Sequence, residues 1–181
     1  MTPKEYYKTY QADDQNSSLT FRLGDEIAHL NPSHVLDFGC GTGKLSYYFL
    51  ALQICPICID ISFANISKAK FKYNLPCVIC ADETYLRNLA NIDVVFTCSV
   101  LDHVEDIDGI IQEFKRIANK AIFLAETNDI VGQYYFAHNY ESYGFKKLDF
   151  EYSGEDGAKY FIWKWEKLTN EKDTRTGTSL R

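Results

Sequence analysis

Five stretches of the chain are apolar almost without interruption: residues 35–38, 54–61, 77–81, 92–98 and 121–125. A strand with one wet face alternates apolar and polar residues, so unbroken apolarity predicts strands covered on both faces, as in a parallel sheet. Helical patterns lie between them. Ile107, Ile110, Ile111, Phe114, Ile117 and Ala118 recur at helix spacing, with Glu113, Lys115 and Arg116 on the other side. Residues 44–53 predict a helix after the first strand, Ser62 an N-cap for a helix over 63–74, and residues 84–89 a shorter helical piece. Strand and helix alternating in this way imply right-handed crossovers and a doubly wound α/β sheet with helices on both faces.

After Asn128 the pattern changes. Residues 130–143, rich in Tyr and Phe, predict a helix that stops near Gly144. Residues 145–152 and 158–167 then flank Ser153-Gly-Glu-Asp-Gly157, which reads as an antiparallel hairpin with a Gly-bounded turn.

The chain has 181 residues, 46% of them hydrophobic and 24% charged, which suits one globular domain over 1–168. Within it, 1–33 is expected to be an N-terminal helical lid segment and 34–168 the core, with 169–181 a flexible tail. The apolar runs fall short of the roughly 20 residues that span a bilayer, and no signal pattern opens the chain, so no membrane role and a cytoplasmic location are expected. The formal charge is −6, and the segment from Lys167 carries four basic residues against two acids, which leaves −8 for the rest. So acidic a body is a poor general binder of phosphate backbones, and no nucleic-acid partner is expected.

The first strand runs into Asp37-Phe-Gly39-Cys-Gly41-Thr-Gly43. Open α/β sheets bind ligands beyond the carboxyl ends of their strands, and glycines there let the backbone turn sharply close to a ligand. A dinucleotide fingerprint needs a glycine at its sixth position, which here is Lys44. Asp37 at the strand end would also repel a pyrophosphate, and suits a ligand with a cationic end.

At these residues the sequence closely resembles the class I, seven-stranded Rossmann-like S-adenosylmethionine methyltransferases of small-molecule type. Asp37-Phe-Gly39-Cys-Gly41-Thr-Gly43 matches that family's first motif, and Asp60, at the end of the second strand, matches its ribose-binding acid. Asp82 stands where the family contacts adenine, and Val100-Leu-Asp-His-Val-Glu-Asp106 looks like the stretch after strand four. The resemblance, from about Tyr6 to Lys167, implies a mostly parallel seven-stranded sheet ending in the antiparallel hairpin, with S-adenosyl-L-methionine as cofactor and S-adenosyl-L-homocysteine as product. It places Asp37, Gly39, Cys40, Gly41, Gly43, Asp60, Ile61, Asp82, Glu83, Cys98 and Ser99 around the cofactor. In that reading Asp37 faces the cofactor's ammonium, and the amides near Gly39 and Gly41 meet its carboxylate.

Methyl transfer needs alignment, exclusion of water and sometimes removal of a proton. The loop after strand four therefore makes Asp102 and His103 the candidates for base or substrate orientation. Tyr134 and His138, with Tyr6, Tyr10 and Arg22 from the N-terminal segment, are candidate acceptor contacts. Amino-methylating nucleic-acid enzymes of the fold carry an Asn/Asp-Pro-Pro-aromatic motif after strand four, and this chain has Thr97-Cys-Ser-Val-Leu101. A small-molecule acceptor is expected, methylated on O, N or C. Either it is modest in size or a partner subunit, as in a homodimer, completes the site. The rival is a catalytically silent member that binds the cofactor and serves as a binding or assembly subunit.

Cys55-Pro-Ile-Cys58 and Cys77-Val-Ile-Cys80 have the spacing of a four-thiolate zinc site. Both pairs lie in predicted strands, where residues three apart point to opposite faces, so no metal is expected. Cys58 and Cys80 each precede a strand-end acid by two residues, which predicts equivalent, buried levels on neighbouring strands. Cys40, in the glycine turn, is expected to be the most exposed thiol.

Overall fold

The computed structural model describes residues 2–12, 17–127, 135–154 and 157–168. The elements run α1 (Pro3–Thr9), α2 (Ser18–Ala28), β1 (His34–Phe38), α3 (Lys44–Ala51), β2 (Cys55–Asp60), α4 (Phe63–Tyr73), β3 (Cys77–Cys80), β4 (Ile92–Cys98), α5 (Asp108–Ile117), β5 (Ala118–Thr127), β6 (Lys146–Ser153) and β7 (Lys159–Glu166). Short 3-10 turns cover Glu83–Asn88, Leu101–His103 and Tyr140–Tyr143.

The seven strands form one sheet in the order β3-β2-β1-β4-β5-β7-β6. β1 to β5 pair in parallel, whereas β7 pairs antiparallel with both β5 and β6. From β1 the chain winds outward to β2 and β3, then returns to start β4 on the other side of β1. The carboxyl ends of β1 and β4 therefore flank the point where strand order reverses, which is where an open sheet leaves a crevice.

The apolar runs are unbroken because successive residues feed two cores. Leu36, Val95, Ile122 and Leu124 point to the α5 side, among Ile110, Ile111, Phe114 and Ile117. Their neighbours Val35, Val94, Phe96 and Phe123 point to the other side, among Leu19, Leu23, Ile27 and Phe49 of α2 and α3. Helix α5 buries its four apolar residues on one stripe, each contributing about 1.5–3 kcal/mol. Truncating Phe114 to Ala would remove a fully buried ring shared with Phe38, at a cost of about 3–5 kcal/mol.

Three local expectations need correction. The helix expected over 130–143 falls partly on 128–134, outside the described residues; beyond them Tyr135 makes a bridge, 136–139 is irregular, and only Tyr140–Tyr143 forms one 3-10 turn. Asn139 caps that turn and Gly144, at φ 82, closes it, which leaves no room for further helix.

The second correction is to the β2–β3 register, where Cys58 pairs with Val78 and Asp60 with Cys80. β3 is therefore offset by two residues from the register that aligning the two strand-end acids predicts. It ends at Cys80, and Asp82 lies beyond it as the cap of a 3-10 turn.

The third concerns the thiols. Cys55 and Cys80 are exposed, Cys40 is only half exposed, and Cys58 is fully buried. Cys80 lies on the edge strand, where little covers it. All six cysteines are free, and among the described residues no group of three or more His, Cys, Asp or Glu could hold a metal ion. None of the described helices is long and apolar enough to cross a membrane.

Candidate active site

A cleft of about 720 Å³ opens over the carboxyl ends of β1 to β4. That volume lies within the usual range for small-molecule sites. The glycine turn forms its floor, with Gly39, Gly41 and Gly43 all at positive φ. At Gly39, φ is +76° and an added Cβ would stand 2.2 Å from a Val100 methyl; at Gly43 it would stand 2.5 Å from Leu75. The glycines are thus needed twice, for a left-handed backbone and for close packing against the β4 loop and α4.

The turn is held from beside it. The amides of Gly39 and Cys40 both donate to the Ile59 carbonyl, and the Gly41 amide donates to Asp60 Oδ2 at 2.8 Å. This corrects the expectation that amides near Gly39 and Gly41 face the ligand: the turn crosses the end of β2 and spends those donors there. Asp60 also accepts from the Ser62 amide at 2.7 Å and from Asn65 Nδ2, so one carboxylate ties the glycine turn to the first turn of α4.

Two acids lie buried beneath the turn. Asp37 is 4% exposed and accepts from Ser46 Oγ at 2.7 Å; burial pushes its carboxyl up to about 7, the Ser46 hydroxyl opposing and the nearby Asp60 adding. Burial also raises Asp60, against the amides of Ser62 and Gly41. Among the described residues, the donors reaching this pair are a hydroxyl, two backbone amides and a carboxamide, and neither acid has a basic partner. A buried pair of carboxyls without a cation is a site of negative potential that a cationic ligand would relieve.

Helix α1 lies along the open side. Lys4 Nζ bonds Asp82 at 2.9 Å and Glu83 at 2.8 Å, and the hydrogen bonds from Thr84 and Lys4 hold the Asp82 carboxyl down at about 2. Tyr7 Oη stands 2.7 Å from His103 Nδ1, Ser62 Oγ donates to the Tyr10 carbonyl, and the Ala12 amide donates to Asn65 Oδ1. Helix α2 instead packs its buried stripe of Leu19, Leu23 and Ile27 against the sheet.

At the end of β4 the backbone passes through Ser99 at φ 53, unusual for a residue with a side chain, before the Leu101–His103 turn. Glu126, fully buried at the end of β5, organises this loop: it accepts from Thr97 Oγ1 and from the amides of Val100, Leu101 and Asp102. Burial, and then the charge of Asp102, raise its carboxyl. Asp102 is 1% exposed, its Oδ1 3.5 Å from His103 Nε2. The His103 ring packs against both Tyr7 and Tyr135, with centroids 4.4 and 4.7 Å away.

The structure therefore brings Asp37, Gly39, Cys40, Gly41, Asp60, Ile61, Asp82, Glu83, Cys98, Ser99, His103 and Tyr10 to one cleft. It does not bring the others. Gly43 packs beneath it on Ala69 and Leu75, and Asp102 lies behind His103. Tyr6 packs edge-on against Tyr7, outside the cleft lining. Arg22 lies on the outer face of α2, paired with Glu26, and His138 Nε2 bonds the carbonyls of Leu101 and Val104. Tyr134 lies outside the described residues.

Sequence reasoning missed Lys4, Asn65 and Glu126. Glu126 alone carried a signal, as an acid closing an otherwise apolar strand run.

The sheet order and glycine-floored cleft are those of a nucleoside-binding α/β transferase, and comparison with known proteins agrees. The methyltransferase domain family matches residues 36–124. The chain belongs to the class I S-adenosylmethionine-dependent methyltransferases. It is 30% identical over 130 residues to the ubiquinone biosynthesis O-methyltransferase of Pelagibacter ubique (strain HTCC1062), covering 68% of this chain and 54% of that protein. It is 31% identical over 108 residues to the malonyl-[acyl-carrier protein] O-methyltransferase of Hamiltonella defensa, covering 59% and 42%. The chain thus spans about half the length of the curated relatives it matches. Among solved structures, magnesium protoporphyrin IX methyltransferase of Synechocystis PCC 6803 with bound S-adenosylhomocysteine superposes with a TM-score of 0.70 at 16% identity, over 87% of this chain and 90% of that one.

Proposed function

We propose that this chain is an enzyme that moves a methyl group from S-adenosyl-L-methionine to O, N or C of a small-molecule acceptor in the cytoplasm. The observation that carries the reading is the buried pair Asp37 and Asp60 under a glycine turn, a cation-seeking floor with no basic partner among the described residues. Two curated relatives are named as O-methyltransferases, which supports the reaction class. Six free thiols suit a reducing compartment.

When bound, the cofactor supplies an electrophilic methyl group on a sulfonium. Asp60 would accept from its ribose hydroxyls, Asp82 and Glu83 would meet its adenine, and Asp37 would meet its ammonium. Because the turn amides are engaged, Lys44, which lines the cleft at the start of α3, is the group suited to its carboxylate. His103 lines the cleft with Nδ1 on the Tyr7 hydroxyl and Nε2 toward Asp102, so a proton taken from the acceptor would reach the ring through Tyr7 Oη, and Asp102 would stabilise the imidazolium. The first part of the N-terminal segment, with α1, would exclude water as a lid, while α2 belongs to the helical layer.

Incubation with methyl-labelled S-adenosylmethionine and the low-molecular-weight fraction of a cell extract tests this. Label should move to a small organic product that depends on the protein. Tight cofactor binding with no transfer to any fraction would instead establish the silent binding subunit, and label in protein or nucleic acid would refute the acceptor class.

A further inference from the structure

The cleft extends past the end of β4, beyond the groups assigned to the cofactor, and this part has a distinct chemistry. Its wall is aromatic: the Tyr7 and Tyr135 rings both lie against the His103 imidazole, tilted from its plane by 32° and 59°. Val104 and Ile110 add apolar surface. At its rim stand Glu105 and Asp106, both exposed and both lining the cleft.

The ammonium groups lie elsewhere, and the imidazole in this wall, His103, already sits against Asp102. The cleft lining includes two ammonium groups, Lys4 and Lys44. Lys4 is bonded to Asp82 and Glu83 beside β3, and Lys44 belongs to α3 beyond the glycine turn.

Aromatic walls bind flat aromatic molecules, and one with carboxylates nearby favours a cation over an anion. Negative charge on a ligand would meet the exposed carboxylates of Glu105 and Asp106 at the rim. We propose, resting on the methyltransferase reading, that the acceptor is an aromatic molecule that is neutral or cationic, and that carboxylate- and phosphate-bearing acceptors are rejected at the β4 end of the cleft.

Matched probes test the charge and shape rules with the full chain saturated by S-adenosylhomocysteine, which also keeps probes out of the cofactor's own place. Phenylethylamine, phenylethanol and phenylpropanoate share a ring and differ in charge, and cyclohexylethylamine removes the aromaticity. Dissociation constants from ligand-observed NMR at pH 8 and low salt should rank amine, alcohol, carboxylate, with the amine on the order of tenfold tighter than the carboxylate. Cyclohexylethylamine should bind several-fold more weakly than phenylethylamine. Glu105→Lys should narrow or reverse the amine preference, and high salt should shrink it.

Equal or tighter binding of the carboxylate overturns the proposal and leaves the methyltransferase reading intact. So does the failure of every probe to bind protein that is saturated with S-adenosylhomocysteine. If S-adenosylhomocysteine itself does not bind, the reading beneath the proposal fails, and the proposal with it.

Discussion

Asp37 offers a substitution with opposite effects on the two properties it links. In the protein without ligand, burial raises its carboxyl from 3.8 to about 7, so the fold holds a proton that the unfolded chain releases. A group raised in this way costs stability as pH climbs: the cost is absent below about 4, grows through the interval up to about 7, and is complete above it. A shift of about three units corresponds to about 4 kcal/mol at most. Asn in its place keeps an acceptor for the Ser46 hydroxyl and removes the charge. Asp37→Asn should therefore stabilise the ligand-free protein by on the order of 2–4 kcal/mol at pH 8 and by almost nothing at pH 4. The same change removes the anion proposed to meet the cofactor's ammonium, and should weaken S-adenosylmethionine binding by about 1.5–3 kcal/mol at pH 8. Urea titrations at pH 4, 6 and 8 read the first effect, and calorimetry reads the second. A variant less stable than the parent at pH 8, or one that binds the cofactor unchanged, would refute the reasoning.

Other outcomes follow from the same geometry. Calorimetry at pH 6 in buffers of different ionisation enthalpy should show proton release on cofactor binding, because a cationic ligand draws Asp37 to its charged form; at pH 8.5 the release should vanish. Asp60→Ala should lower both cofactor affinity and the ligand-free melting temperature, since it strands the Gly41 and Ser62 amides at about 1–3 kcal/mol each, whereas a ribose contact alone would leave the ligand-free protein unchanged. Gly39→Ala should be destabilising, and Val100→Ala should partly restore the double variant by clearing the methyl that meets the new Cβ. Timed alkylation followed by mass spectrometry should modify Cys55 and Cys80 before Cys40, with Cys58 last.

Much of this was legible in the chain because it depends on local pattern. The unbroken runs at 35–38, 92–98 and 121–125 report two-faced burial directly, and Ser62 before Phe63 is a cap that the structure uses, accepting from the Asn65 amide. The glycine turn is legible since only glycine tolerates φ +76° with Val100 overhead. Harder to read was whatever depends on how neighbours slide past one another. Aligning β2 and β3 by their acids is wrong by two residues, because sequence fixes neither the end of an edge strand nor its register when both its faces are similar. The roles of Lys4 and Tyr7 arise from contacts spanning 79 and 96 residues of chain, and no spacing rule reaches that far. His138 and Arg22 carry suitable chemistry, yet they point to loop carbonyls and to Glu26.

The central claim is that Asp37, Asp60 and the glycine turn form a site for S-adenosylmethionine, and direct titration of folded protein at pH 8 tests it most directly. The account predicts saturable binding of one molecule per chain, with S-adenosylhomocysteine competing for the same site and Asp60→Ala weakening both. Folded protein that takes up neither molecule would contradict it.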